Sequence, residues 1–98
     1  MTKKSKTSKN NGCQYISLND PETYFYSYDL GIVASLISDG FELISIDKQN
    51  PQKVLFIVRR TPDLDDKLNA YFSDLLMVPA RSFFENVKML KNRIYNSL

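Results

Sequence analysis

Four lysines, Lys3, Lys4, Lys6 and Lys9, stand within the first twelve residues, and a second group of cations, Arg81, Lys88, Lys91 and Arg93, stands near the other end. Ammonium and guanidinium groups gathered in this way bind phosphate oxygens and displace the counterions of a nucleic-acid backbone, without needing fixed geometry. Neutralising the phosphates of DNA or RNA is therefore the chemistry open to both groups. Each also has a plainer role: lysine tails aid solubility, and basic residues near a helix C-terminus complement its dipole.

Residues that break and make bonds are scarce. Histidine is absent, which removes the commonest general base, the commonest metal ligand and the usual pH switch. Cys13 is the only cysteine; it has no partner for a disulfide, no zinc-ligand spacing and no neighbouring base to make it a nucleophile. A lone thiol fits a reducing compartment. Asp65 and Asp66 are paired carboxylates, but adjacent helical positions point about 100° apart, and in a first turn such acids oppose the helix dipole. No glycine-rich phosphate loop, metal-spaced cluster or nucleophile elbow occurs. The expectation is a protein that is not an enzyme, with no catalytic residue, no metal and no cofactor.

Charge is segregated along the 98 residues, although the net value is only +2. Residues 13–80 hold ten acids against Lys48, Lys53, Arg59, Arg60 and Lys67, whereas both ends are basic. A phosphate footprint must then avoid the acidic middle. Arg59 and Arg60 are the middle's candidates for extending one.

The elements that carry these residues follow from pattern. Residues 1–12 contain almost nothing that can be buried and read as a disordered basic tail; residues 13–98 read as a single α+β domain. Residues 14–18, QYISL, read as a short extended piece closed by a turn at Asp20-Pro21. Tyr24-Phe25-Tyr26 is a run of β-formers and the first core strand. Ser27 or Asp29 can cap the helix after it, in which Leu30, Val33, Ala34 and Ile37 fall at helical spacing, with Ile32 and Leu36 widening the apolar stripe. Asp39-Gly40 stops that helix.

Phe41 to Asp47 and Val54 to Arg60 are strand-like runs around a loop of turn-formers, and they predict a hairpin. The second run is apolar on both pleat faces, which suits a central strand. Thr61-Pro62-Asp63 starts a second helix with a capping hydroxyl and a proline at its first position, and Leu64, Leu68, Tyr71, Phe72 and Leu75 form its buried stripe. Val78-Pro79 marks a second break. A last helix from about Pro79 to Asn96 should turn Ala80, Phe83, Phe84, Val87, Leu90 and Ile94 inward, with Arg81, Lys88, Lys91, Asn92 and Tyr95 along another side. The fold class is thus α+β: a small three-stranded, mainly antiparallel sheet with three helices, in the order β-α-β-β-α-α.

The run YFYSYDLGIVASLISDGFELISID, then VLFIV, then VPARSFFENVKMLKNRIY resembles a family of small uncharacterised proteins of bacteria, phages and mobile elements, a domain of unknown function. The shared features are an aromatic stretch with Asp-Leu opening a helix, a glycine before a hairpin, and a VPAR-like helix start leading to a basic end. They cover roughly residues 24–95. The resemblance implies a fold and brings no catalytic residue with it.

Two functions remain. One is a nucleic-acid-associated accessory factor of a phage or mobile element, binding DNA or RNA through Lys3, Lys4, Lys6, Lys9, Arg81, Lys88, Lys91 and Arg93. The alternative is a protein-interaction or oligomerising adaptor that docks on a larger protein, a ribonucleoprotein or its own copies through its sheet, where Tyr24, Tyr26 and Tyr28 and the outer face of the hairpin, if uncovered, form an apolar patch. A cytoplasmic location is expected: no signal-peptide apolar run, no membrane span of about 20 apolar residues and no myristoylation signal is present, residue 2 being Thr.

Overall fold

Asp20 bonds its own neighbours at the start of the described residues. Its carboxylate accepts from the Glu22 amide at 3.0 Å and from the Thr23 hydroxyl at 2.8 Å, which fixes the turn that launches the first strand. The computed structural model describes residues 20–50 and 52–96, the side chain of Asn96 excepted. The expected tail over 1–12, the extended piece over 14–18, Cys13 and the four N-terminal lysines lie outside the described residues.

The elements are β1 (Tyr24–Ser27), α1 (Leu30–Ser38), β2 (Leu43–Asp47), β3 (Leu55–Arg59), α2 (Leu64–Phe72) and α3 (Ala80–Asn96). The three strands form one antiparallel sheet in the order β1-β3-β2, so the fold is α+β and the doubly apolar run is the central strand. Register pairs Phe25 with Val58 and Ile46 with Phe56, which puts these four residues on one pleat face. Between Leu43 and Ser45 the β2 register shifts by a bulge.

Helix α1 packs on that face and carries the core. Val33, Ala34 and Leu36 are buried with Phe56, Val58, Leu64 of α2 and Leu90 of α3 in a single cluster. Each fully buried leucine or valine contributes about 1.5–3 kcal/mol relative to exposure. Between the two capping candidates the geometry chooses Asp29, whose carboxylate accepts from the Ile32 amide at 3.1 Å, while Ser27 Oγ accepts from the Asp29 amide.

Helix α1 ends as the sequence predicts. Gly40 takes a φ of 109°, its amide donates to Ile37 and the Phe41 amide donates to Leu36. Phe41 is thereby drawn into the core as part of the helix end, so the strand begins at Leu43 and not at Phe41.

Helix α2 starts later and stops sooner than its sequence suggests. Its first residue is Leu64, so Pro62 lies in the preceding turn, and the Thr61 hydroxyl donates to the Asp63 carboxylate where a backbone cap was expected. The same C-terminal motif as in α1 closes it after Phe72: the Leu75 amide donates to Ala70 and the Asp74 amide to Tyr71, with Asp74 at a φ of 62°. Leu64, Leu68 and Tyr71 face the core, but Phe72 and Leu75 are exposed. The helix ends before Leu75 can continue the stripe, which corrects that expectation.

Two further expectations are corrected. Tyr24 is only 4% exposed and Tyr26 is partly buried, so Tyr28 alone of the three stands out and no tyrosine patch forms. Phe84 and Ala80 point away from the core; the inward side of α3 holds Phe83, Val87, Leu90 and Ile94 together with Asn86, a polar residue.

Candidate nucleic-acid interface

Helix α3 packs chiefly against α1, and its rotation decides which side chains face outward. Asn86 Nδ2 donates to Ser38 Oγ at 2.9 Å, and Ser38 Oγ in turn donates to the Ala34 carbonyl at 2.8 Å. This bond and the leucine at position 90 hold one side of the helix inward. At about 100° per residue, the side opposite Asn86 carries Arg81, Phe84, Lys88, Lys91 and Tyr95 within an arc of about 80°.

These five residues are spaced by three, four, three and four, and they extend about 21 Å along the helix axis. All are exposed, Phe84 by 59% and Tyr95 by 74%. Lys88 Nζ lies 4.9 Å from the centroid of the Phe84 ring, a cation–π contact worth about 0.5–1 kcal/mol at an exposed site. Glu85 flanks the stripe as the one acid of this helix.

Arg93 is separated from this group. It lies about 140° round the helix from Lys88, exposed on the other flank. Nearby, Lys48 at the end of β2 donates from Nζ to the carbonyl oxygens of Arg93 and Ile94 at 3.1 and 3.3 Å, and so caps the helix C-terminus. Of the cations singled out from sequence, Arg81, Lys88 and Lys91 are brought together, Arg93 is set apart, and Lys3, Lys4, Lys6 and Lys9 lie outside the described residues.

Three of the other described cations are paired with carboxylates, while Lys53 Nζ lies 5.1 Å from the centroid of the exposed Tyr28 ring. Arg59 Nε bonds Glu42 at 3.0 Å, Arg60 Nη1 bonds both oxygens of Asp65 at 3.1 and 3.2 Å, and Lys67 reaches Asp39 at 3.2 Å. Arg59 and Arg60 are thereby each held against a carboxylate of the body. Asp65 and Asp66 lie in the first turn of α2, where acids oppose the helix dipole, and Asp65 also pairs with Arg60. Among the described residues, Arg81, Lys88, Lys91 and Arg93 form none of the ion pairs.

Sequence reasoning missed Phe84 as a surface residue. The available signal was the heptad-like spacing of Arg81, Phe84, Lys88, Lys91 and Tyr95, but an apolar ring was counted toward the core.

A concavity lies across the sheet, a groove of about 620 Å³ lined by Pro21, Tyr26, Ser45, Ile46, Asp47, Lys48, Leu55 and Ile57. Burial raises the Tyr26 phenol above its ordinary value, and the negative charge of Asp20 adds to this. With Asp20 close by and Asp47 in its wall, the groove is poorly suited to phosphate. No three side chains that could hold a metal ion come together among the described residues, and no helix among them is long and apolar enough to cross a membrane.

The fold and its surface define a small α+β domain whose C-terminal helix presents a basic and aromatic face to solvent. The chain belongs to a family known as a domain of unknown function, DUF5659, whose family model matches residues 22–96. No curated protein and no solved structure matches it.

Proposed function

We propose that this protein is a non-enzymatic binding protein that associates with nucleic acid, an accessory factor of a phage or mobile element that grips the phosphate backbone with the outward face of α3. One observation carries the reading. The body's cations at Arg59, Arg60 and Lys67 are matched to carboxylates, whereas Arg81, Lys88 and Lys91 are exposed on one face with no acid paired to them among the described residues. Cations aligned without partners are free to exchange counterions for phosphates, the term that supplies most non-specific affinity. Lys3, Lys4, Lys6 and Lys9 supply further phosphate contacts, and Arg93 contributes from the flank.

The test is fluorescence-anisotropy titration of labelled DNA and RNA against the full chain at two salt concentrations. Binding that weakens steeply with salt, and that weakens at low salt when Arg81, Lys88 and Lys91 are replaced by Gln, supports the reading; flat titrations at low salt overturn it.

A second reading, docking on a protein partner, draws on Phe72, Leu75 and Met77, which leave large apolar surfaces exposed at the turn between α2 and α3, Met77 by 85%. It moves the docking surface from the sheet to that turn. Loss of partner capture by Met77→Asp, with nucleic-acid titrations unchanged, distinguishes it.

A further inference from the structure

We infer that the ligand of this face is single-stranded nucleic acid, DNA or RNA, whose bases stack on Phe84 and Tyr95 while its phosphates meet Arg81, Lys88 and Lys91. The inference rests on the phosphate-contact reading above and narrows it to a class of polymer.

The argument starts from the two rings. Phe84 and Tyr95 are among the most exposed large side chains of the described residues, and both lie within the cationic face instead of apart from it. Along the helix the order is cation, ring, cation, cation, ring. The rings stand about 16 Å apart along the axis, with Lys88 and Lys91 between them. A face built for phosphates alone has no use for an uncovered phenylalanine, which adds apolar surface and no charge.

Every base has a π-face, so an aromatic platform binds single strands with little regard to sequence, and flanking cations track the backbone between stacked bases. In a duplex those faces are already stacked on their neighbours, and the grooves offer only base edges. The rings can be used fully only where bases are unpaired. Lys88 is placed for the exchange: its ammonium lies over the Phe84 ring in the free protein, and a base arriving on that ring releases it toward a phosphate.

The surroundings agree with this division. Across the sheet, Asp47 in the groove wall and Asp20 nearby disfavour a polyanion, and of the body's cations Arg59, Arg60 and Lys67 are matched to carboxylates, Lys48 is held by the carbonyls at the end of α3 and Lys53 lies against the Tyr28 ring. A strand following α3 therefore stays on α3.

The experiment uses the full chain with three labelled probes: a thymidine oligonucleotide of about twelve residues, a uridine oligonucleotide of the same length, and a mixed-sequence duplex. Wild type should bind at least one single-stranded probe more tightly than the duplex. Phe84→Ala and Tyr95→Ala should each weaken that binding by about five- to hundredfold, while the salt dependence stays unchanged because neither ring carries charge. Tyr95→Phe keeps the ring and should keep the affinity. Melting of each variant checks that the fold is intact. Equal or tighter duplex binding, with alanine variants that match wild type, overturns the single-strand inference and leaves the phosphate reading standing. No salt-sensitive binding to any probe removes the phosphate reading, and the inference falls with it.

Discussion

Asn86 Nδ2 donates to Ser38 Oγ at 2.9 Å across the interface of α3 and α1, forty-eight positions apart in the chain. This bond matters because a helix with a broad apolar stripe can settle at more than one rotation, and a polar contact selects one. With Asn86 held inward, the opposite side of α3 is Arg81, Phe84, Lys88, Lys91 and Tyr95. Asn86→Ala should cost about 0.5–1.5 kcal/mol in urea unfolding, the worth of a partly buried hydrogen bond. A variant as stable as wild type would show that the leucine and valine contacts set the rotation by themselves.

Gly31 and Tyr71 form a second close approach, between α1 and α2. A Cβ at position 31 would stand 3.0 Å from the Tyr71 hydroxyl oxygen and 3.3 Å from Asp29 Oδ1. Alanine favours a helix over glycine by about 1 kcal/mol, and the crowding opposes that gain. Gly31→Ala alone should be neutral or destabilising; in a Tyr71→Phe background it should gain by about 0.5–1 kcal/mol. Thermal melting of the double-mutant cycle measures the difference, and additive effects would contradict the crowding.

Asp74 holds the left-handed position at the end of α2, where Gly40 holds the corresponding position after α1. A side chain there costs about 1 kcal/mol, which glycine avoids at some expense of chain entropy in the unfolded state. Asp74→Gly should raise stability by up to about 1 kcal/mol, and Asp74→Ala should lower it. Denaturant midpoints check both; a loss on Asp74→Gly would show that the carboxylate makes a stabilising contact.

Acid should destabilise the protein through Asp63 and Asp20. The Thr61 hydroxyl bonds the Asp63 carboxylate, and the Thr23 hydroxyl, followed by the Glu22 amide, bonds Asp20, so both carboxyl groups sit below their ordinary value. A folded-state value below the unfolded one gives stability that is present above about pH 4 and is lost as pH falls through the folded value. Urea midpoints at neutral pH and near pH 3 should differ more for wild type than for the Asp63→Asn, Asp20→Asn double variant. Identical pH dependence would rule these two groups out as the source.

The sheet and helices were legible because each announces itself locally. VLFIV is apolar on both faces and became the central strand; Asp29 and Gly40 bracket α1 with a cap and a left-handed stop. What was hidden depends on neighbours distant in sequence. Phe84 reads as core by its chemistry, but the rotation at which Phe83, Val87, Leu90 and Ile94 pack inward and Asn86 bonds Ser38 leaves the ring in solvent. Phe41 reads as strand, and the end of α1 captures it. At the candidate site, Arg81, Lys88 and Lys91 were visible as cations, but their lack of ion pairs among the described residues, and the engagement of Arg59 and Arg60 by Glu42 and Asp65, are facts of tertiary placement.

The most direct test of the central claim is the salt dependence of binding to a single-stranded probe, compared between wild type and the Arg81→Gln, Lys88→Gln, Lys91→Gln variant. If α3 grips the backbone, each lost contact flattens the slope of log affinity against log salt by about 0.7, so the triple variant should lose about two units of slope and bind more weakly at low salt. A triple variant that folds normally and binds with the wild-type slope would contradict the assignment of the phosphate contacts to this helix.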